Sequence, residues 1–511
     1  MKIRLLVIFF SIIFMTASFA KSEPTNHIEP NNHIGQNSHI EPNNHTELKK
    51  QLIDYMEVGK IPGLSLVIID KHNKTHLITL GKQNENQDGD IKQETVFELG
   101  STSKAFTGLI AAQLIEEGKI KQETTVSSVL PSLSFYTDNQ PIEVSFIQLL
   151  NHSSGIPFSS VDFIYGGNSS DSLENMINRI ERIDLQNSPG TLYSYATINY
   201  DIAARMMEVV TQQPYSELLK KYVLTPLKMN DTSVDVMVNH KATGYQISYL
   251  APRPYDAPFF ISNVPAGYIQ TNAIDMAKWL RFLLKDNDSP LSKYKKRMFE
   301  PNTQLSTNEG EDVHYALGWS INNDKIYHTG MNPNFSSFIG MNTQSNVAVA
   351  VMANVNSNVT FTIGEQILKQ LSSGDGTINL TSANDVELFD TFDRVFIALG
   401  VLLFLSLLII IFRIYRNSIT KKSRHLSGAK KVIVIISILA CLGLTLLSFV
   451  FPSVLLNMSW NSLIIWMPMS FILMSTLLIL TLIMSLIHLL IIFFRHISYA
   501  KNQNKQEHVN D

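Results

Sequence analysis

Ser101 and Lys104 stand three residues apart, directly after Gly100. On a helix, positions i and i+3 share a face, so the lysine amine can reach the serine oxygen and take its proton during attack on a carbonyl. A helix that starts at such a serine also offers free backbone N–H groups and a positive end, which stabilise a developing oxyanion. The spacing is common in this chain: five other Ser-x-x-Lys pairs begin at Ser18, Ser292, Ser418, Ser427 and Ser498. Only at Ser101 does a glycine turn lead into a long helical pattern, read from the sequence as amphipathic. Taken alone, the pair is better read as a helix cap beside a solvated lysine. The single cysteine, Cys441, lies in an apolar run, which leaves the water-soluble part without a disulfide, a cysteine-based zinc site or a thiol nucleophile.

The elements that must position the pair follow from periodicity. A helix is expected over 47–55, then strands over 63–70 and 75–80 separated by a Lys-His-Asn-Lys turn. Helical patterns dominate the middle (171–182, 197–211, 214–223, 272–285). Strands return at 313–321, 335–341 and 347–353, before a last helix at 358–371. Helices from the two ends of this segment packed on one antiparallel sheet, with a helical insertion between, make an α+β two-lobed domain.

With 511 residues the chain has room for more than this domain. Lys+Arg 41 against Asp+Glu 44 gives a net charge of -3, and no block is basic enough to follow a nucleic-acid backbone, so no nucleic-acid partner is expected. Charged residues make up 17% and hydrophobic ones 45%, so what matters is where the apolar residues gather. They gather at the ends. Residues 1–20 combine Lys2 and Arg4, a short apolar core, and small residues at Ser18 and Ala20, the pattern of a cleaved secretory signal. Residues 21–46 repeat a hexapeptide beginning at His27, His33, His39 and His45, a polar spacer that cannot bury a core; its histidines could hold a metal only weakly.

The serine domain itself is placed at 47–372 and a linker at 373–394. Transmembrane helices are placed at 395–412, 432–451 and 469–494. Loop 413–431 carries Arg413, Arg416, Lys421, Lys422, Arg424, Lys430 and Lys431 and no acid, which assigns it to the cytoplasm. The serine domain then faces outward from the cytoplasmic membrane, and the tail returns inside.

The stretch Phe97-Glu98-Leu99-Gly100-Ser101-Thr102-Ser103-Lys104 resembles the active-site helix of the serine β-lactamase and penicillin-binding protein superfamily, in its class C β-lactamase and D-amino peptidase (S12-like) branch. Ordered landmarks support the resemblance over about residues 48–372: Asn151-His152-Ser153-Ser154-Gly155, Tyr195-Ala196-Thr197, Pro226-Leu227-Lys228-Met229 and His328-Thr329-Gly330. It implies a β-lactamase-like fold and acyl-enzyme chemistry with Ser101 as nucleophile. Lys104 and Tyr195 would be its proton-transfer partners. The backbone N–H groups of Ser101 and Met331 would form the oxyanion hole, with His328 in the substrate strand, and neither metal nor cofactor is required. There are two departures, and the second weighs against penicillin chemistry. His328 replaces a lysine, and Thr197 stands where an asparagine amide usually grips the substrate.

A narrower group resembles this chain at both departures and in its membrane segments. These are the membrane-bound D-asparaginyl peptidases that mature nonribosomal peptide-polyketide prodrugs such as those of colibactin, zwittermicin and xenocoumacin. The shared segment here is Gly330-Met331-Asn332-Pro333-Asn334-Phe335-Ser336-Ser337. That similarity implies a D-Asn pocket lined by Glu98, Thr197 and Asn332, with Asn263 where the colibactin type has histidine. The implied partners are an acylated peptide-polyketide small molecule and the lipid bilayer, with an exporter and a second copy of the chain as further candidates. Two other readings stand beside it. One is a cell-wall D-Ala hydrolase or esterase resembling FmtA-like membrane proteins of Gram-positive bacteria, and the other is a non-catalytic ligand sensor.

Overall fold

A computed structural model describes residues 42–84, 89–284, 289–374, 378–380, 387–420 and 426–510. The signal segment 1–20 and the hexapeptide repeat up to residue 41 lie outside the described residues. The chain divides into two units, one running to Phe389 apart from the tip 248–250, the other containing that tip and everything from Asp390.

In the first unit, helix α1 (Pro42–Val58) is followed by strands β1 (Gly63–Ile69) and β2 (Thr75–Gly81). Their turn is tied by Asp70, whose Oδ1 accepts from the backbone N–H of His72 and Lys74. The helical lobe contains α2 (Lys104–Glu116), α3 (Ile198–Thr211) and α4 (Ala273–Leu284). The chain then returns through β3 (Ser306–Thr307), β4 (Gly310–Tyr315), β5 (Ser320–Asn322), β6 (Lys325–Asn332), β7 (Phe335–Asn342) and β8 (Val347–Ala353) to helix α5 (Val359–Ser372). Among the described residues the main sheet has eight strands in the order β3-β4-β5-β6-β7-β8-β1-β2, every neighbour antiparallel. β1 fits between β2 and β8, so the two ends of the domain close one sheet.

Alternation along the central strands explains the layering. Leu64, Leu66 and Ile68 of β1 and Val347, Val349 and Val351 of β8 join Leu48, Leu52 and Tyr55 of α1 and Ile363 and Ile367 of α5 in one core. The opposite face is covered too, since all seven residues of β1 are buried, and α4 packs against β1 and β8 there. A strand buried on both faces has little use for polar residues, and β1 and β8 read accordingly.

Five sequence expectations change. Helix α2 is not amphipathic: it is buried from Lys104 through Leu114, with Phe106 stacked on Trp279 of α4 at 4.2 Å. A helix packed on all sides is apolar all round. The expected helix over 171–182 stops at Asn178, because Arg182–Asp184 pairs with Ser134–Thr137 as a short parallel strand. The expected strand 313–321 is broken by the turn between Tyr315 and Ser320, closed by Ala316 N–H donating to Trp319 O. The segment read as a linker is packed at 378–380, where Ile378 and Leu380 join the core and Leu380 N–H donates to Gln51 Oε1. At the other boundary α1 begins at Pro42, within the range assigned to the spacer.

From Asp390 on, the second unit holds most of α6 (Leu388–Thr420), with α7 (Gly428–Leu456), the short helix Trp460–Trp466 and α8 (Met469–Asn510). Among the described residues three helices are long and apolar enough to cross a membrane, Leu388–Thr420, Gly428–Leu456 and Met469–Ala500. Few residues of their apolar windows are buried within the protein, as expected of surfaces that lipid would cover.

Candidate active site

Ser101 lies in a 3-10 turn, Gly100–Ser103, and the α-helix proper begins at Lys104. Gly100 has φ +55, and a Cβ there would sit 2.4 Å from Met331 N. A side chain at Gly100 would therefore push β6 away from the turn. Leu99 O is held by Thr102 Oγ1 at 2.8 Å and by Ser337 Oγ at 2.5 Å, which fixes the turn against β7.

Two groups converge on the serine oxygen. Lys104 Nζ is 3.0 Å from Ser101 Oγ, and Tyr195 Oη donates to the same oxygen at 2.9 Å. Lys104 has no exposed surface and also donates to Ala266 O at 2.8 Å, while its Nζ lies 5.2 Å from the centre of the Tyr195 ring. Tyr195 comes just before α3. Ser194 N–H donates to His152 O at 2.7 Å, and the Tyr195 ring lies 4.3 Å from the His152 ring.

His152 was part of a sequence landmark, but its position came only from the structure. Ser154 Oγ donates to Asn199 Oδ1 at 2.8 Å, which leaves the Asn199 amide nitrogen to donate to His152 Nδ1 at 2.9 Å. His328 is locked similarly. Its Nδ1 stands 2.6 Å from Thr329 O, which can only accept, so Nδ1 carries the proton and Nε2 accepts from Tyr315 Oη at 2.8 Å. Burial, reinforced by the Lys104 charge, holds His152 well below its ordinary value and pushes His328 down to about 3. Both rings are therefore neutral neighbours of Lys104 at physiological pH.

That arrangement has a consequence for stability. Between about pH 6.5 and pH 3 the unfolded chain binds a proton at His328 that the folded chain does not. Stability is therefore lost as pH falls through this window, by at most about 1.4 kcal/mol per pH unit for each such group. The melting temperature of the detergent-solubilised protein is expected to drop between pH 7 and pH 5, and His328→Gln should flatten the slope. An unchanged slope would show that other groups carry the acid sensitivity.

Beside the serine lies a buried polar set. Glu98 Oε1 accepts from Lys241 Nζ at 2.7 Å, and Oε2 accepts from Asn332 Nδ2 at 2.6 Å. Asn332 Nδ2 also donates to Gly267 O at 3.0 Å, so both its N–H groups are engaged and its oxygen is left over. Lys241 stands 5.2 Å from the Phe259 ring centre, a cation–π placement. Thr197 opens α3, and its hydroxyl makes no capping bond to that helix. Asn263 is buried next to the buried carboxyl of Asp201. The structure thus brings Ser101, Lys104 and Tyr195 into contact, sets Met331 N against the serine turn, and joins Glu98 to Asn332. His328 bonds to Tyr315 and contacts none of these by hydrogen bond. Lys241, Asp201 and Tyr315 escaped the sequence reading, since nothing near them in sequence marks them. Among the described residues, no group of three His, Cys, Asp or Glu side chains could hold a metal ion.

An antiparallel sheet with helices from both ends of the domain on one face, a helical lobe on the other, and a Ser-Lys-Tyr cluster between them defines a serine hydrolase of the β-lactamase-like class. The comparisons agree: the Beta-lactamase family matches residues 48–370, most of the chain, and the chain belongs to that family. Among curated proteins it is similar to Protein flp of Staphylococcus aureus (strain MW2), 28% identical over 428 residues that cover 81% of this chain and 84% of that protein. Penicillin-binding protein 4 of Amycolatopsis lactamdurans is 26% identical over 238 residues, covering 45% of this chain and 61% of that protein. The octameric penicillin-binding protein homologue from Pyrococcus abyssi shares the fold, with a TM-score of 0.56 and 22% identity over 69% of this chain and 81% of that one.

Proposed function

We propose that this protein is a membrane-anchored serine peptidase that works outside the cytoplasm and cleaves an amide through an acyl-enzyme. Its favoured substrate class is an N-acyl-D-Asn prodrug of an exported peptide-polyketide. The observation that carries the chemistry is the convergence of Lys104 Nζ and Tyr195 Oη on Ser101 Oγ. Ser101 Oγ attacks the carbonyl as its proton passes into the Lys104–Tyr195 pair, and the oxyanion is held by the N–H groups of Ser101 and Met331. Tyr195 then hands a proton to the departing amine, and water releases the acyl group by the same path. The seven basic residues of loop 413–431 support the outward orientation.

The substrate reading rests on Asn332, whose nitrogen is occupied by Glu98 and Gly267 O and whose oxygen is left to accept from a ligand. A site whose polar groups need a polar side chain discriminates against analogues without one. The full-length protein in detergent should cleave acyl-D-Asn anilides at least tenfold better than the acyl-D-Ala and acyl-L-Asn counterparts, by kcat/KM. Relatives named Protein flp and penicillin-binding protein 4 favour a second reading, hydrolysis of D-Ala in cell-wall material. Equal turnover of D-Ala and D-Asn substrates would select it.

A further inference from the structure

The backbone N–H groups on either side of Tyr195 both end on one residue. Ser194 N–H donates to His152 O at 2.7 Å, and Ala196 N–H donates to His152 Nδ1 at 3.4 Å. Asn199 Nδ2 reaches the same ring nitrogen at 2.9 Å. A backbone N–H can only donate, so Nδ1 is an acceptor and the ring proton sits on Nε2. That tautomer also fixes the amide, whose oxygen is turned away to accept from Ser154 Oγ at 2.8 Å. The imidazole lies 4.3 Å from the ring of Tyr195, 4.8 Å from that of Tyr315 and 5.4 Å from that of Tyr200.

Two features of His152 lower the stability of the fold. Its backbone takes φ +55, the left-handed region, and its buried Nε2 has no hydrogen-bond partner among the described residues. Space filling alone would favour an apolar side chain here, and the turn alone a glycine or an asparagine. What a histidine adds is an acceptor on a rigid ring. Tyr195 has use for one, because residues 193–196 belong to no helix or strand and no regular ladder fixes the phenol.

We propose that His152 is a positioning residue for proton transfer: its carbonyl and its Nδ1 grip the peptide groups on either side of Tyr195 and hold the phenol at the serine oxygen. Asn199, set by Ser154, keeps the ring turned with Nδ1 toward Ala196. This rests on the Ser-Lys-Tyr chemistry proposed above and adds the residue that places its tyrosine. It is independent of which side chain the substrate carries.

The test reads kcat and KM of the full-length protein in detergent, on whichever of the acyl-D-Asn and acyl-D-Ala anilides the wild type cleaves faster. His152→Phe keeps a ring and removes the acceptor. His152→Asn gives up the ring but sets a side-chain oxygen where Nδ1 stands and tolerates the left-handed backbone. His152→Phe should lower kcat about thirtyfold, the scale of a misplaced reacting group, with KM changed less than about threefold. His152→Asn should stay within about fivefold of wild type, the scale of one hydrogen bond. In a Tyr195→Phe background, His152→Phe should cost nothing further, because no phenol is left to place. Asn199→Leu, which frees the ring to turn, should lower kcat about fivefold or more, and it decides the matter if His152→Phe does not fold. Wild-type kcat in His152→Phe or in Asn199→Leu, a larger loss in His152→Asn than in His152→Phe, or the same loss with and without the Tyr195 hydroxyl overturns the proposal and leaves the acyl-enzyme chemistry standing. A Tyr195→Phe variant as active as wild type overturns both.

Discussion

Ser101→Ala should reduce turnover by a thousandfold or more and abolish labelling by serine-directed phosphonates, with the melting temperature and circular dichroism unchanged. The oxygen on which Lys104 and Tyr195 converge is the atom that would form the acyl bond, and no other hydroxyl shares both partners among the described residues. Folding should survive, because the turn around Ser101 is held by Leu99 O through Thr102 and Ser337 and not by the serine side chain. Residual activity above a thousandth of wild type in the purified variant would point to a different nucleophile.

Lys104→Ala and Tyr195→Phe should each lower kcat by about two to four orders of magnitude, the range of a lost general acid-base group. The double variant should lose far less than the product of the two. Both side chains touch the same serine oxygen, and Lys104 Nζ lies 5.2 Å from the centre of the tyrosine ring. Groups that handle one proton act as a unit, so removing the second matters little once the first is gone. Additive losses in a double-variant kinetic cycle would argue that the two work independently. Tyr195→Phe has a further use. It keeps the ring that packs on His152, so a loss of activity there reports on the hydroxyl and not on packing.

The site was legible in the sequence where its geometry is local. Ser101 and Lys104 belong to one turn of backbone, and i,i+3 spacing after a glycine is enough to bring amine and oxygen together. The interior strands β1 and β8 were legible too, because they are runs of aliphatic residues and burial on both faces leaves only that composition. Strand β6 shows why other parts were not. Periodicity overlooked Lys325–Asn332, and only the resemblance drew attention to its His-Thr-Gly. Tyr327 and Met331 face the apolar core, while His328 and Asn332 meet Tyr315 and Glu98, so the strand carries polar residues in buried positions and loses the alternating signature.

The sequence by itself determined the Ser101 turn, the strands β1, β7 and β8 and the three apolar segments, since each is written in neighbouring residues or in a long composition bias. Tertiary structure alone decided what surrounds the serine. Tyr195 reaches Ser101 across 94 residues, Lys241 reaches Glu98 across 143, and Asn332 reaches Glu98 across 234. Such pairs leave no mark in local hydropathy, because a buried polar side chain is tolerated only where a distant partner satisfies it, and that partner is specified by the fold.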